Sequence, residues 1–82
     1  MNATQSAKGG KAHDPRYRDL IEKLVIARRE KGLSQDGLAK ILDRHQQFVS
    51  RYETGERRLD VVEFIDIGRA LDLDMTILNS IA

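Results

Sequence analysis

The chain has 82 residues, with 14 Lys and Arg against 13 Asp and Glu, and it contains neither Cys nor Trp. A chain of this length forms one small domain with a modest core, which argues against a second domain and a deep enzyme pocket. The absence of Cys excludes disulfides and thiolate metal sites, and no apolar run approaches the ~18 residues of a membrane span. We therefore expect a soluble, cytoplasmic protein with no metal, no cofactor and no evident small-molecule ligand.

Charge is unevenly distributed along the chain. Residues 1–58 carry 13 basic and 8 acidic side chains, whereas residues 59–82 carry 1 basic and 5 acidic side chains. A polyanion should therefore meet the first part of the chain, and the acidic end should face away from it or toward another protein. An unevenly charged but ordinary solvated surface would produce the same asymmetry.

The N-terminal segment and the first helix differ sharply in composition. Residues 1–14 contain no large aliphatic side chain after Met1, so we expect a disordered tail followed by one helical domain over residues 15–82. Asp14 is suited to cap a first helix from Pro15 to about Lys31, and Gly32 is suited to end it. Its apolar positions recur at spacings of three and four: Leu20, Ile21, Leu24 and Ala27.

Two short helices follow. Ser34 is the expected cap of the second helix, and the segment 43–45 interrupts the apolar pattern before a third helix from about Gln46 to Glu53. The third helix should stop at Thr54 and Gly55. Two helices separated by about three residues form a helix-turn-helix.

The remaining sequence predicts two further helices. Asp60 and Glu63 read as a capping box for a fourth helix, and Asp74 can cap a fifth helix from Met75 to Ile81. The fourth helix carries apolar residues at positions 61, 64, 65, 68 and 71, counting Gly68 among them. No strand-like alternation persists anywhere, so the predicted fold class is all-α.

The third helix has two chemically distinct sides. At ~100° per residue, Phe48, Val49 and Tyr52 fall on one arc. The opposite arc holds two amides, a hydroxyl and a guanidinium, from Gln46, Gln47, Ser50 and Arg51. Gln can pair with adenine and Arg with guanine, although a wet, Gln-rich helix face is the alternative explanation.

The stretch GLSQDGLAKILDRHQQFVSRYETGERR, residues 32–58, closely resembles the lambda-repressor-like helix-turn-helix family, also called the XRE family. Its members commonly read G-L-[ST]-Q-x-x-L-A followed by I-S-x-x-E-x-G. The resemblance extends over about residues 20–79, and the continuation ERRLDVVEF is similar to a bacterial subgroup. It implies a compact five-helix fold and sequence-specific binding to double-stranded DNA.

The resemblance also implies roles for individual residues. Base edges would be contacted by Gln46, Gln47, Ser50 and Arg51, and the DNA backbone by Gln35, Arg44, His45, Arg57 and Arg58. In the family, the residue at the position of Gln35 often braces the one at the position of Gln46. Arg28 and Glu53 match a pair that bridges the first and third helices. Unrelated surface charges are the alternative for that pair.

This chain departs from the family pattern in the turn between the second and third helices. Asp43 stands where Gly is usual, Arg44 replaces a small apolar residue, and His45 replaces Ser or Thr. Asp tolerates positive φ, so we expect the turn to survive. His45 caps a helix less well than Ser does. When protonated it could donate to a phosphate, although a neutral exposed imidazole is the simpler expectation.

The C-terminal end is more apolar than one short helix can cover. Met75, Leu78 and Ile81 are therefore expected to contribute to a homodimer interface, as the corresponding end often does in relatives, although they could instead complete the monomer core. A two-fold dimer would present two recognition helices about one DNA turn, ~34 Å, apart on a palindrome.

Three classes of function remain at this point. The first is a DNA-binding transcriptional regulator, most simply a small repressor; an antitoxin or a restriction-system controller would have the same sequence features. The second is a protein-binding module that kept the fold, which the retained Gln pair and Arg51 argue against. The third is an enzyme, which we reject because His13 and His45 have no metal-ligand spacing and no glycine loop suits a phosphate.

Overall fold

The computed structural model describes residues 14–81, and within that range it contains helices and no strand. The elements are α1 (Pro15–Glu30), α2 (Gln35–Leu42), α3 (Gln46–Thr54), α4 (Val61–Ala70) and a 3₁₀ helix (Met75–Ser80). The all-α class is confirmed. The predicted disordered tail, residues 1–14, lies outside the described residues except for Asp14. Over the same range, no helix is both long and apolar enough to cross a bilayer.

Side chains fix the start of each of the first, second and fourth helices. The Asp14 carboxylate accepts a hydrogen bond from the backbone N–H two residues later, and Ser34 Oγ accepts one from Gly37 N–H at 2.9 Å. Asp60 and Glu63 form the complete capping box, with each side chain accepting from the other residue's backbone N–H. These bonds satisfy N–H groups that a helix leaves unpaired at its start, so the helix boundaries are specified locally.

The turn between α2 and α3 depends on a left-handed backbone at Asp43. Its φ and ψ are 56° and 46°, and the following Arg44 N–H donates to Ala39 O at 2.9 Å. Asp therefore takes the position where Gly is usual in relatives, as expected from its tolerance of positive φ. His45 is the N-cap residue of α3 but makes no side-chain capping hydrogen bond.

The core lies between the first four helices. α2 packs against α3 and α4, and α1 packs against α3. The buried apolar side chains are Ile21, Leu24, Leu38, Ala39, Phe48, Val49, Tyr52, Ile67 and Leu71. Because α3 contributes three of them, its orientation is fixed by the packing of its inner side, and its outer side remains available.

The predicted fifth helix, from Met75 to about Ile81 with Asp74 as its cap, is present as Met75–Ser80, and Asp74 accepts from Thr76 N–H at 2.9 Å. Its geometry is that of a 3₁₀ helix, with Ile77 N–H donating to Asp74 O at 3.1 Å. A segment of six residues is too short to nucleate a stable α-helix, and β-branched Thr76 and Ile77 have low helix propensity. Residues at i and i+3 eclipse in a 3₁₀ helix, so the expected apolar alignment is retained in a different geometry.

The inward face of α4 also differs from the simple apolar pattern. Val61 is 73% exposed and Ile65 is 38% exposed, whereas the Glu63 residue is only 9% exposed. The buried face of α4 follows Glu63, Ile67 and Leu71, at spacings of four residues. A carboxylate therefore takes a core position, and part of the apolar surface of α4 faces outward.

The turn at Asp43 provides a test of the fold. Asp43→Val should lower the free energy of unfolding by about 1–2 kcal/mol, because a β-branched residue is strongly disfavoured at positive φ. Asp43→Asn is the matched control and should change it by less than about 0.5 kcal/mol. Urea unfolding measures both. Equal stabilities for the two variants would show that the left-handed turn is absent.

Candidate nucleic-acid interface

The two sides of α3 are separated as the sequence pattern predicts. Phe48, Val49 and Tyr52 are buried against the other helices. On the outer side, Gln46, Gln47 and Arg51 are exposed and Ser50 is half-buried. The outer side therefore offers amide, hydroxyl and guanidinium groups on a rigid support.

A chain of hydrogen bonds connects the first residue of this surface to the core. Gln46 Nε2 donates to Gln35 Oε1 at 3.0 Å, and Gln35 Nε2 donates to Glu53 Oε1 at 2.9 Å. The orientations of the Gln46 and Gln35 amides are thus each set by an acceptor, and the last acceptor is the Glu53 carboxylate. The Gln46 side chain is held in one position before any ligand binds, which reduces the entropic cost of a later contact.

The carboxylate at the end of that chain is held by Arg28. Arg28 Nε donates to Glu53 Oε2 at 2.7 Å and Nη2 donates to Glu53 Oε1 at 3.1 Å, while Nη1 donates to Leu33 O at 2.8 Å. The two side chains are 8% and 7% exposed. Hydrogen bonding to Glu53 raises the pKa of the Arg28 guanidinium above its ordinary value. The structure thus joins α1 and α3 through a buried, bidentate ion pair.

A second cluster surrounds Phe48, also near the start of α3. The guanidinium carbon of Arg44 lies 3.9 Å from the centre of the Phe48 ring, and that of Arg57 lies 5.0 Å from it. Arg57 also makes two hydrogen bonds of 2.7 Å to the Glu63 carboxylate, and Arg44 Nη2 lies 3.5 Å from Glu63 Oε2. Two cations are therefore fixed beside the start of α3 by one ring and one carboxylate.

These cations border a small cleft of about 200 Å³. Its lining residues are Arg44, His45, Gln47, Phe48, Arg51 and Arg57. Most of them are residues predicted to contact bases or backbone, so the structure brings both groups to one side of the molecule. The cleft is concave and cationic, which suits an anion.

The loop after α3 is attached to α1. Arg58 lies over the Tyr17 ring, with its guanidinium carbon 4.6 Å from the ring centre, and Leu59 N–H donates to the Tyr17 hydroxyl at 3.0 Å. Arg58 is exposed, and its carbonyl oxygen accepts a hydrogen bond from Arg57 Nη1 at 3.1 Å. The loop thus presents two neighbouring cations, one over the Tyr17 ring and one near the Phe48 ring.

Sequence reasoning assigned Glu63 only to the capping box and missed its ion pairs. The carboxylate accepts from the Asp60 backbone and from Arg57 at once, and these bonds lower its pKa to about 2, with the Arg57 hydrogen bond as the largest cause. Its place in the series Glu63, Ile67 and Leu71 was the available signal. An acidic residue in register with core positions requires a cation close by.

Similarity to other proteins agrees with this arrangement. Residues 24–78 match the family model HTH_3, described as a helix-turn-helix. A solved XRE-family like protein from Pseudomonas syringae pv. tomato str. DC3000 is 42% identical, with a TM-score of 0.77 over 98% of this chain and 92% of that chain. The chain belongs to the XRE family. No curated protein matches it.

Membership of the XRE family assigns the general function. XRE-family helix-turn-helix proteins are DNA-binding transcription regulators and not enzymes, and their helix-turn-helix binds double-stranded DNA. The two helices of the motif are α2 and α3 in this chain. The outer side of α3 described above is therefore the candidate DNA surface of an XRE-family regulator.

The buried ion pair yields a stability prediction. Arg28→Ala should lower the free energy of unfolding by about 3–5 kcal/mol, because it leaves the Glu53 carboxylate buried without its cation. The double variant Arg28→Ala with Glu53→Gln should recover part of that loss, since it removes the uncompensated charge. Chemical denaturation of the three proteins measures the difference. An Arg28→Ala protein that unfolds like the wild type would contradict this role of the pair.

Proposed function

We propose that this XRE-family protein is a small repressor that reads a palindromic operator through the major groove. The observation that carries the proposal is the hydrogen-bonded series from Arg28 through Glu53 and Gln35 to Gln46. It gives a base-reading side chain a fixed position at the start of a helix whose inner side is buried. Such preorganisation serves recognition, whereas a solvated helix face has no need of it.

The proposed base contacts lie along the outer side of α3. Gln46 and Gln47 would pair with adenine edges and Arg51 with guanine, and the Ser50 hydroxyl would donate or accept at either base. These four residues lie within about one and a half turns of helix, which matches the stretch of a recognition helix that enters the major groove. Discrimination between sequences would come from this group.

The proposed backbone contacts surround that group. Arg44, His45 and Arg57 lie at one end of the surface, and Arg58 lies in the loop beyond α3. Gln35 would contact a phosphate from the start of α2 while it supports Gln46. Phosphate contacts of this kind fix the register of the helix in the groove and supply affinity that does not depend on sequence.

Repression follows most simply from these contacts. A protein bound across a promoter blocks access to it by occupying the DNA, and this requires no further activity. Because the target is the genome, the proposal also places the protein in the cytoplasm. The regulated gene could belong to an operon of the protein's own, as for an antitoxin or a restriction-system controller.

A second copy of the chain would bind the other half-site of the palindrome. Met75 and Leu78 are 44% and 45% exposed, and the Met75 methyl group lies close to Gly68 of α4. Val61 and Ile65 lie on the same face of α4 as Gly68, at helical spacing. The exposed apolar surface of the 3₁₀ helix therefore continues onto α4.

A groove lies beside this surface. It has a volume of about 530 Å³ and is lined by Tyr17, Leu20, Leu78 and Ile81 together with the charged side chains of Asp14, Arg16 and Arg58. We propose Met75, Leu78 and Ile81 as the centre of a two-fold interface that also includes the exposed face of α4. In a two-fold dimer, the apolar stripe of each copy would face the corresponding groove of the other.

The base contacts lead to a binding prediction. Gln46→Ala and Arg51→Ala should each lose about 1–3 kcal/mol of affinity for the preferred site and little for random DNA, because base-edge contacts supply the discrimination. Arg58→Ala is the control for a backbone contact. It should weaken both kinds of DNA together and lower the salt slope by about one unit.

Fluorescence anisotropy with labelled duplexes at several salt concentrations measures these effects, and circular dichroism checks that each variant is folded. Equal losses on specific and random DNA for Gln46→Ala and Arg51→Ala would refute their assignment as base readers. An unchanged salt slope for Arg58→Ala would remove that residue from the backbone contacts.

The dimer leads to a separate prediction. Ile81→Asp should give folded monomers that bind a palindrome far more weakly than the wild type does, because two linked half-sites bind with an avidity that one cannot reach. Thr76→Asp, an exposed change of the same kind on the 3₁₀ helix, is the control. Sedimentation of the wild type at tens of micromolar should detect a dimer. A monomer at that concentration would contradict dimerisation in the absence of DNA.

A further inference from the structure

We propose that Glu63 is a positioning residue for DNA-backbone binding, which holds Arg44 and Arg57 as a two-guanidinium seat for a single phosphate. The inference rests on the proposed function, because the phosphate would belong to the operator backbone. Glu63 itself does not touch the DNA. It contacts the two arginines and keeps them in position for the phosphate.

The Glu63 carboxylate has an inner location and several partners. The Glu63 residue is 9% exposed, and its two oxygens each accept a 2.7 Å hydrogen bond from Arg57. Oε1 also accepts from the Asp60 backbone at 3.0 Å. The carboxylate is thus anchored at the start of α4, and its position does not depend on the arginines alone.

The Phe48 ring provides the second restraint on both guanidiniums. Arg44 approaches the ring centre at 3.9 Å and Arg57 at 5.0 Å, both distances suited to cation–π attraction. Held between a ring and a carboxylate, each planar group has little rotational freedom. Because a free arginine side chain loses much rotamer entropy when it is ordered, this restraint lowers the entropic cost of a phosphate contact.

The held arginines keep donors for a phosphate. The described hydrogen bonds of Arg57 use Nη1 for Glu63 and for Arg58 O, and use Nη2 once, for Glu63. The Nε–H and one Nη2–H of Arg57 therefore remain for a further acceptor. Arg44 is 40% exposed at its side chain and contributes its own fork of donors.

The cleft beside these donors has the size and lining of a phosphate site. Its volume is about 200 Å³, and the side chains that line it include no carboxylate. Glu63 is outside this lining and borders a neighbouring pocket with Arg44, Phe48 and Asp66. A phosphate in the cleft would thus meet guanidinium groups first, and Arg is the side chain best suited to bidentate phosphate recognition.

Glu63 is ionised in the pH range used for DNA-binding measurements. Its pKa is lowered to about 2, chiefly by the Arg57 hydrogen bond. The carboxylate therefore remains ionised well below neutral pH. The positioning effect should accordingly be independent of pH between about 5 and 8.

Glu63→Gln tests the proposal. The substitution keeps the size of the side chain and an oxygen that can accept the Asp60 N–H, but it removes the bidentate ion pair. Glu22→Gln on the exposed face of α1 is the matched control, since it changes the net charge equally. Glu63→Gln should bind both the preferred site and random DNA ~3–10-fold more weakly than Glu22→Gln at the same salt concentration. Binding equal to or tighter than that of Glu22→Gln would overturn the proposal.

A double-variant cycle separates positioning from a general structural effect. In an Arg44→Ala, Arg57→Ala background, adding Glu63→Gln should change DNA affinity less than twofold, because Glu63 would act only through the two arginines. A full-sized effect in that background would overturn the proposal. Thermal unfolding of every variant establishes that each is folded at the temperature of the binding measurement.

A measurement on the wild-type protein tests whether Arg44 and Arg57 bind one phosphate together, and it does not depend on the folding of any variant. Titration with inorganic phosphate, followed by NMR of the arginine Nε–Hε groups, should shift the Arg44 and Arg57 signals together with one midpoint. Arg69, on α4 away from the cleft, should not follow them. Parallel shifts at all three residues would overturn the seat.

The outcomes also distinguish this inference from the proposed function. If Gln46→Ala loses specificity while Glu63→Gln binds like Glu22→Gln, the positioning role fails and the repressor function stands. If no DNA sequence is preferred but phosphate still shifts Arg44 and Arg57 together, the seat stands and the operator-reading function fails.

Discussion

The buried ion pair between Arg28 and Glu53 is the constraint on which the rest of the binding surface depends. It crosses from α1 to α3 with both side chains more than nine-tenths buried, and its carboxylate also accepts the Gln35 amide. Gln35 in turn accepts from Gln46, the first residue of α3. One interaction therefore contributes to the packing of the domain and to the position of a proposed base-reading side chain. For the same reason, loss of one partner should disturb stability and recognition together.

A second carboxylate, that of Glu63, has a parallel role beside the same surface. Glu63 takes a core position on α4 and holds Arg57, with Arg44 close by and both guanidiniums near the Phe48 ring. In both places an acidic side chain is turned inward against an arginine. The carboxylates of Glu53 and Glu63, close to the proposed DNA surface, are thus each paired with an arginine. This pairing allows a chain of almost zero net charge to present a cationic face.

Local sequence signals were sufficient to predict much of the fold. Caps at Asp14, Ser34 and Asp60 and the periodicity of α3 depend on neighbouring residues, so they could be predicted without tertiary information. The 3₁₀ geometry of Met75–Ser80 was not predicted, because the 3/4 spacing of its apolar residues and the Asp74 cap fit an α-helix and a 3₁₀ helix equally well. The ion pairs of Glu63 join residues brought together by the turn before α4, and the capping-box pattern already gave that residue a sufficient local explanation. Assignment to the XRE family likewise came from motif resemblance, since composition and periodicity indicate only a small helical domain.

If the outer side of α3 reads DNA sequence and two copies do so together, the protein should select a symmetric site. In vitro selection of bound duplexes from a random DNA pool is the decisive measurement. We expect enrichment of an inverted repeat whose half-sites lie about one helical turn, ~34 Å, apart, with adenine and guanine contacts that Gln46→Ala and Arg51→Ala respectively relax. A pool that shows no enriched sequence after repeated rounds, from a protein that remains folded, would contradict this expectation.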